Sequence, residues 1–131
     1  MKMLMCPKCG GELQTIIYED IEVDRCCQCA GIWFDSSEAE ELKRRKGSEN
    51  IDIGKLNWEN HQEALDAQIP CPRCGISMIK MLDLDKHPIW YETCSQCQGI
   101  WFDAGEFKKY KDNFPKQGLL SKAIKAFRLK K

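Results

Sequence analysis

The sequence contains no long apolar run, only two histidines and no excess of charge of either sign. No stretch approaches the roughly 18 consecutive apolar residues that a membrane-spanning helix requires. The apolar segment before the first cysteine, residues 1–5, is too short for the apolar region of a signal peptide. The sequence therefore predicts a cytoplasmic protein with no membrane span.

The usual sequence signatures of an enzyme site are also missing. The chain shows no nucleophile placed with a base, and no glycine-rich loop that would bind a phosphate. The two histidines, His61 and His87, stand apart from the cysteines, and we expect both on the surface. These absences predict a protein that is not an enzyme and that has no small-molecule substrate.

Cysteine, by contrast, is abundant, with nine residues in a chain of 131. Eight of the nine form four C-x2-C pairs, two in each half of the chain. Two such pairs supply four thiolates, the ligand set of a closed tetrahedral zinc site, and this spacing argues against a secreted disulfide scaffold. The predicted ligands are Cys6, Cys9, Cys26 and Cys29 in the first half, and Cys71, Cys74, Cys94 and Cys97 in the second.

Four thiolates leave no open coordination position, so each metal is predicted to be structural and not catalytic. We expect two zinc ions per chain, with iron as the alternative, because rubredoxin-type sites also use two C-x2-C pairs. Cys27 adjoins the ligand Cys26, but its counterpart in the second half is Ser95. Cys27 is therefore predicted to be a free thiol.

The cysteine pairs belong to an internal repeat. CCQCAGIWFD at residues 26–35 returns as CSQCQGIWFD at residues 94–103, shifted by 68 positions. Each unit spans about 40 residues, near the size below which an apolar core alone seldom stabilises a fold. A structural metal would supply the missing stability.

Each repeat has the pattern of a hairpin followed by a short helix. Alternating apolar residues between the two cysteine pairs predict the β-hairpin. A helix is predicted at about Ser36 to Lys46, with Asp35 as its N-cap and Glu38 as the capping-box partner. Asp103 and Glu106 repeat this cap in the second unit.

The repeated aromatic residues have two interpretations. Trp33 and Trp101 could stack on nucleobases, or they could join Phe34 and Phe102 in the small core of each unit. We favour the core for at least one member of each adjacent pair, because the units have few other apolar residues. The other member could still be exposed to a partner.

Two segments outside the repeats carry opposite charge. Residues 48–69 form an acidic linker, with a helix predicted from Asn57 to Gln68. Residues 115–131 hold six cations, no anion and an apolar helical face, which predicts a basic amphipathic helix. Its candidate contacts to a nucleic acid or a protein partner are Lys116, Lys122, Lys125, Arg128, Lys130 and Lys131.

The combination of C-P-x-C-G, a hairpin and C-x-x-C-x-G-I-W-F-D resembles the transcription factor IIB-type zinc ribbon family of bacterial proteins, over residues 6–46 and 71–111. The resemblance implies two tandem zinc ribbons with the eight paired cysteines as ligands. It also implies nucleic-acid or transcription-related binding. The linker and the basic tail lie outside the family pattern.

The sequence thus predicts a small metal-bound α+β protein with zinc ribbons at 1–47 and 70–114, a linker at 48–69 and a tail at 115–131. The leading function is a non-enzymatic adaptor that binds nucleic acid or a protein machine acting on it. The alternatives are a protein–protein interaction module without nucleic-acid contact and a rubredoxin-like iron electron carrier. Because each repeat has its own cysteines, hairpin and helix, we also expect the two ribbons to fold separately.

Overall fold

The computed structural model describes residues 4–54, 68–84 and 87–113. The predicted basic tail and its six cations lie outside these residues, as do His61 and all but the last residue of the predicted linker helix. The described elements are β1 (Leu13–Tyr18), β2 (Ile21–Cys26), β3 (Ile32–Phe34), α1 (Glu38–Lys43), a 3-10 turn (Ser48–Ile51), β4 (Ile79–Asp83), β5 (Ile89–Thr93), β6 (Ile100–Phe102) and α2 (Glu106–Asp112).

Each repeat forms the predicted hairpin, a third short strand and a helix, so the fold is small α+β. β1 and β2 pair antiparallel, and Tyr18 and Ile21 close the hairpin around a two-residue turn. The first turn residue, Glu19, has φ 59°, a left-handed conformation that suits so tight a turn. β3 then pairs antiparallel with β2, and β4, β5 and β6 repeat the arrangement.

The two repeats share one six-stranded sheet, with the strand order β1-β2-β3-β6-β5-β4. The repeats join where β3 pairs antiparallel with β6, and Trp33 lies opposite Trp101 at the centre of this pairing. Ile32 pairs with Phe102 and Phe34 pairs with Ile100, so the isoleucine of each repeat lies opposite the phenylalanine of the other. The described residues therefore have an approximate two-fold axis at the Trp33–Trp101 pair.

The sheet separates two apolar clusters. On one face, Phe34, Phe102 and Phe107 pack with the buried side chains of α1 and α2. On the other face, Trp33 and Trp101 pack with the paired cysteines. The alternation of side chains along a strand explains this division, since Phe34 and Trp33 are neighbours in sequence and point to opposite faces.

The helices differ from the sequence prediction at their N-terminal ends. α1 begins at Glu38, and the residue before it, Ser37, has φ 68° and makes no capping hydrogen bond through its side chain. Asp35 is therefore not the N-cap, although its backbone N–H donates to Glu38 Oε1 at 3.0 Å, as in half of a capping box. The predicted helix, residues 36–46, was too long. Ser37 has a left-handed backbone conformation that an α-helix cannot include, so α1 begins only after it.

The first part of the predicted linker belongs to the core. Ile51 lies in the apolar cluster beneath the helices, and Asp52 is 1% exposed. Asp52 accepts hydrogen bonds from the backbone N–H groups of Gly105 and Lys108, at 2.9 and 3.1 Å. It thus caps the start of α2, the role that the sequence had predicted for Asp103.

No helix among the described residues is both long enough and apolar enough to cross a membrane.

Candidate metal centres

The first candidate centre is formed by two tight cysteine turns that the hairpin brings together. The Sγ atoms of Cys6, Cys9, Cys26 and Cys29 all lie within 4.8 Å of one another. The Sγ atoms of Cys6 and Cys29 are 3.7 Å apart, and those of Cys9 and Cys26 are 3.4 Å apart. Four sulfurs around one zinc at about 2.3 Å would be about 3.8 Å apart, so this donor set fits the ion.

The second centre has the same composition and similar spacing. The Sγ atoms of Cys71, Cys74, Cys94 and Cys97 also lie within 4.8 Å of one another. Those of Cys71 and Cys97 are 3.8 Å apart, the separation that a tetrahedral zinc requires. Four sulfurs on one ion complete its coordination, so each centre can stabilise the fold but offers no position for a substrate.

Backbone amides surround the sulfurs in both centres. The N–H groups of Lys8 and Cys9 donate to Cys6 Sγ at 3.3 Å, and the equivalent groups of Arg73 and Cys74 donate to Cys71 Sγ at 3.4 and 3.2 Å. Such bonds stabilise thiolate charge and orient the ligands. The turns depend on glycine, since the residue after each of these C-x2-C pairs has φ +81°.

Some of the cysteine thiols hold protons that a metal would displace. A hydrogen bond to Cys29, followed by burial, raises the pKa of the Cys6 thiol well above its ordinary value. The same bond from Cys6 lowers the pKa of Cys29 to about 5. Burial raises the pKa of Cys97 to about 12. Zinc requires all four sulfurs as thiolates, so its binding releases protons and is favoured by higher pH.

Cys27 lies outside the first set of sulfurs. Its side chain is exposed, and its Sγ lies 3.8 Å from Gln14 Oε1. The adjacent Cys26 is buried and faces Cys9. The turn therefore directs neighbouring side chains in opposite directions, and only one of the two can reach the centre.

The tryptophans that the sequence offered as stacking surfaces are fully buried. Trp33 and Trp101 are both 0% exposed, as is Phe34, and Phe102 is 1% exposed. The core interpretation therefore applies to both members of each aromatic pair. The interpretation of Trp33 and Trp101 as contacts to nucleic acid was wrong for this conformation, because neither indole presents a face to solvent.

Each tryptophan packs against the other repeat. A Cβ added to Gly31 would lie 2.3 Å from Trp101 Cζ2, and one added to Gly99 would lie 2.2 Å from Trp33 Cζ2. Real Cβ atoms do not approach other atoms this closely, so only glycine fits at both positions. The segment between each cysteine pair and its third strand is thus shaped to receive the tryptophan of the other copy.

Ion pairs between the repeats surround these tryptophans. Trp33 Nε1 donates to Asp35 Oδ1 at 3.0 Å, and Arg73 from the second repeat donates to both carboxylate oxygens of Asp35. In the other copy Trp101 Nε1 donates to Asp103 Oδ1 at 3.0 Å.

Lys8 completes the symmetry from the first repeat. Its Nζ lies 3.4 Å from Asp103 Oδ2 and 3.1 Å from Glu92 Oε2. Lys8 and Arg73 occupy the same position of C-P-x-C-G, so a residue inside each cysteine turn binds an aspartate of the other repeat. Neither cation was predicted as a contact between the repeats, although their equivalent placement is visible in the sequence.

His87, expected on the surface, is partly buried and close to α2. Its Nε2 lies 2.8 Å from Asp112 Oδ2, and its side chain is 34% exposed. Its backbone N–H donates to Asn113 Oδ1 at 2.7 Å. These contacts attach His87, just before β5, to the end of α2, so His87 has a structural role there.

A model of the transcription factor zinc-finger family, a transcription factor IIB-type zinc ribbon, matches residues 5–45 and again residues 70–113. The two matches together cover more than half of the chain and coincide with the two repeats. The chain belongs to this family. It contains two tandem copies of the ribbon, and each copy contributes one of the four-sulfur sets described above. Comparisons with curated proteins and with solved structures find no significant match.

Proposed function

We propose that the protein binds two structural zinc ions per chain and acts as a non-enzymatic adaptor for nucleic acid or for a protein machine that acts on it. The main observation in support is that each centre is a closed set of four sulfurs on one face of a shared sheet. A closed centre supports a scaffold and not a reaction. The ribbon family, by its name, adds the connection to transcription.

Zinc is the proposed ion because four thiolates at these separations suit its tetrahedral geometry. Iron in four thiolates would instead make the protein an electron carrier, and the same donors would accept it. Metal analysis of protein purified from its native cell shows which of the two ions is bound. Two zinc ions per colourless chain would support the proposal, whereas a red protein with stoichiometric iron would contradict it.

The basic tail is the proposed anchor outside the described residues. Its six cations could make at most six phosphate contacts, which corresponds to a limiting slope of log K against log salt of about −5 on duplex DNA. Binding by the full chain and by a chain truncated after residue 115 should be compared across a salt series. If the truncated chain binds with the same affinity and slope, the tail is not an anchor.

A protein partner is the second candidate, and an exposed apolar patch on the second hairpin favours it. Leu82 on β4 pairs with Trp90 on β5, and both remain more than a third exposed, at 39% and 38%. Leu84, just beyond β4, is 73% exposed. A partly exposed tryptophan beside leucines is a common anchor in protein interfaces.

Affinity capture from the native cell, with and without nuclease, tests which kind of partner is bound. Co-purifying proteins that disappear after nuclease treatment would indicate contact through nucleic acid. Proteins that persist after nuclease but are lost with Trp90→Ala would assign the interaction to the apolar patch. Trp90→Ala should leave two metals bound, because Trp90 is not in the apolar cluster around the cysteines.

A further inference from the structure

The C-terminal ends of α1 and α2 lie beside a basic cleft that belongs to both repeats. The cleft has a volume of about 750 Å³, and seven of its eleven lining residues are lysine or arginine. Four of the seven are consecutive, at residues 43–46, and the other three are Lys108, Lys109 and Lys111. Only two lining residues, Glu49 and Asp112, are acidic.

Two equivalent lysines hold the walls of the cleft together. Lys43 Nζ donates to the carbonyl oxygen of Tyr110 in α2 and lies 4.1 Å from the centre of the Tyr110 ring. Its counterpart 68 positions later, Lys111, donates to the carbonyl oxygen of Arg45 at 2.8 Å. Each lysine therefore binds a carbonyl oxygen at the end of the helix of the other repeat, where cations are favoured.

Acidic neighbours pair with part of this charge. Arg44 and Arg45 both contact Glu41, Arg45 also contacts Glu19 and Asp20, and Lys111 contacts Glu49. Lys46 and Lys108 are exposed. The lining as a whole has five more cationic than acidic residues when the histidine is neutral. A concave surface with such an excess of one sign concentrates the electrostatic potential.

The composition of the walls indicates what the cleft would bind. Its lining residues are charged or polar apart from one glycine, so no aromatic or aliphatic residue lines it. Protein interfaces usually depend on buried aromatic or aliphatic anchors, whereas a nucleic-acid backbone is held chiefly by cations that replace its counterions. The lysine and arginine walls therefore match a row of phosphates better than an acidic peptide.

We propose that this cleft binds the phosphate backbone of a nucleic acid. The proposal rests on the proposed function, in that the protein contacts nucleic acid, and it adds a binding surface in the folded part of the chain. Because both helices contribute, the surface exists only when the two repeats are paired. The cleft lies beside the helices, on the sheet face opposite the cysteine clusters, so binding there would not involve the metal centres.

The test uses the zinc-loaded full chain and a variant with Lys46→Gln, Lys108→Gln and Lys109→Gln. Lys43 and Lys111 are left intact because they join the helices. Binding to a fluorescent 20-base-pair duplex is measured by anisotropy across a salt series. The loss of three phosphate contacts should reduce the magnitude of the salt slope by about 2–3 and weaken binding at least roughly tenfold at low salt.

A matched variant removes the same three charges from the tail, with Lys125→Gln, Lys130→Gln and Lys131→Gln. An unchanged salt slope in the cleft variant, with a reduced slope in the tail variant, would show that the tail and not the cleft contacts the phosphates. This result would contradict the inference about the cleft and leave the proposed function intact. If the wild-type chain binds neither duplex nor single-stranded nucleic acid, the proposed function itself fails. Cleft-dependent binding of polyglutamate by such a chain would assign the cleft to acidic proteins and overturn the inference.

Zinc content and circular dichroism verify that both variants are folded. If the triple variant loses metal, the single variants Lys46→Gln and Lys108→Gln replace it. Each single variant should reduce the slope by about 1, because each removes one phosphate contact. Unchanged slopes in both single variants would overturn the proposal in the same way.

Discussion

At the scale of single residues, the repeated Gly-Ile-Trp-Phe-Asp segment has a physical role at each position. The glycine admits the tryptophan of the other repeat, and that tryptophan donates to the aspartate two residues beyond it. The phenylalanine points to the helices on the opposite face. The aspartate forms an ion pair with a lysine or an arginine of the other repeat. The motif is therefore a pairing motif as well as a part of the metal-binding unit.

Replacing Gly99 with alanine should destabilise the zinc-loaded protein by about 1–3 kcal/mol, because the new Cβ would lie 2.2 Å from Trp33 Cζ2. Chemical denaturation measures the loss. Combining Gly99→Ala with Trp33→Phe should cost less than the sum of the two single changes, since the smaller ring frees space. As a control, Ser95→Ala at an exposed position should change stability by less than about 0.5 kcal/mol.

Cys27 and Cys26 should respond oppositely to substitution. Cys26→Ser removes a buried sulfur that lies 3.4 Å from Cys9 Sγ, so one of the two metals should be lost. Cys27→Ser alters an exposed side chain outside the sulfur set and should retain both metals. The number of zinc ions per chain, measured after dialysis, shows which of the two cysteines is a ligand. Equal loss of zinc in the two variants would refute the ligand assignment.

Glu106 should make stability dependent on pH. Burial, with added repulsion from Asp103, raises its pKa from 4.5 to about 7. The folded state then holds this proton more tightly than the unfolded state. Its stabilising contribution is therefore complete below about pH 4.5 and is lost as the pH rises through about 7.

The variant Glu106→Gln should therefore be more stable than the wild type at pH 8, by roughly 1–3 kcal/mol, and the difference should shrink toward pH 6. Thermal unfolding in saturating zinc at both pH values measures it. The exposed Glu40→Gln provides a control with no expected change. A difference that is the same at pH 6 and pH 8 would rule out titration of Glu106 as its cause.

At the scale of elements, the helices and third strands are too short to be stable alone. α1 has six residues, α2 has seven, and β3 and β6 have three each. Isolated helices of this length do not form in water, so packing against the sheet must hold them. Because β3 pairs with β6, each repeat also completes the other's sheet.

A fragment of residues 1–47 would expose the edge of β3 and the ring of Trp33, which are buried against the second repeat in the full chain. With zinc, we expect the fragment either to self-associate through β3 or to remain poorly folded at low concentration. Analytical ultracentrifugation and amide NMR at several concentrations distinguish these states. A monomeric fragment with well-dispersed signals at micromolar concentration would support the separate folding expected from the sequence.

At the scale of the whole molecule, the two metal centres are linked through side chains that belong to both repeats. Arg73 lies in the first cysteine turn of the second repeat and binds Asp35 in the first repeat. Lys8 lies in the first cysteine turn of the first repeat and binds Asp103 in the second. A disordered second centre would thus release contacts around Trp33. The structure gives a physical reason for the two ribbons to unfold together.

Loss of the second centre should therefore weaken the first. Cys74→Ser should remove one zinc directly and also speed the loss of the other to a chelator by roughly tenfold or more, which corresponds to a release barrier lower by about 1.4 kcal/mol. Zinc release to a colorimetric chelator measures both rates. Arg73→Ala serves as a comparison, because it removes the contacts of Arg73 with Asp35 and Asp24 in the first repeat while leaving the eight sulfurs in place. An unchanged rate at the first centre in both variants would show that the repeats are uncoupled.

Much of the local structure follows from short-range patterns. The C-x2-C spacing identified the two sets of four cysteines, and alternation identified the hairpins, because both signals involve residues that are close in sequence or repeated. The helix starts were misjudged at Asp35 and Asp103, since a side chain that resembles a cap can bind elsewhere. Asp52 was missed as a cap because it reaches α2 from a distant segment.

The sequence by itself determined the repeat, the eight paired cysteines and the family, since these depend on residue type and spacing. Only the tertiary structure decided that the repeats share one sheet, that their tryptophans are buried against each other's glycines and that their helix ends form one cleft. The physical reason is that two equivalent units contain nothing in their own spacing that specifies their relative placement. That placement results from packing and ion pairs between residues distant in sequence, such as Gly31 with Trp101 and Lys8 with Asp103.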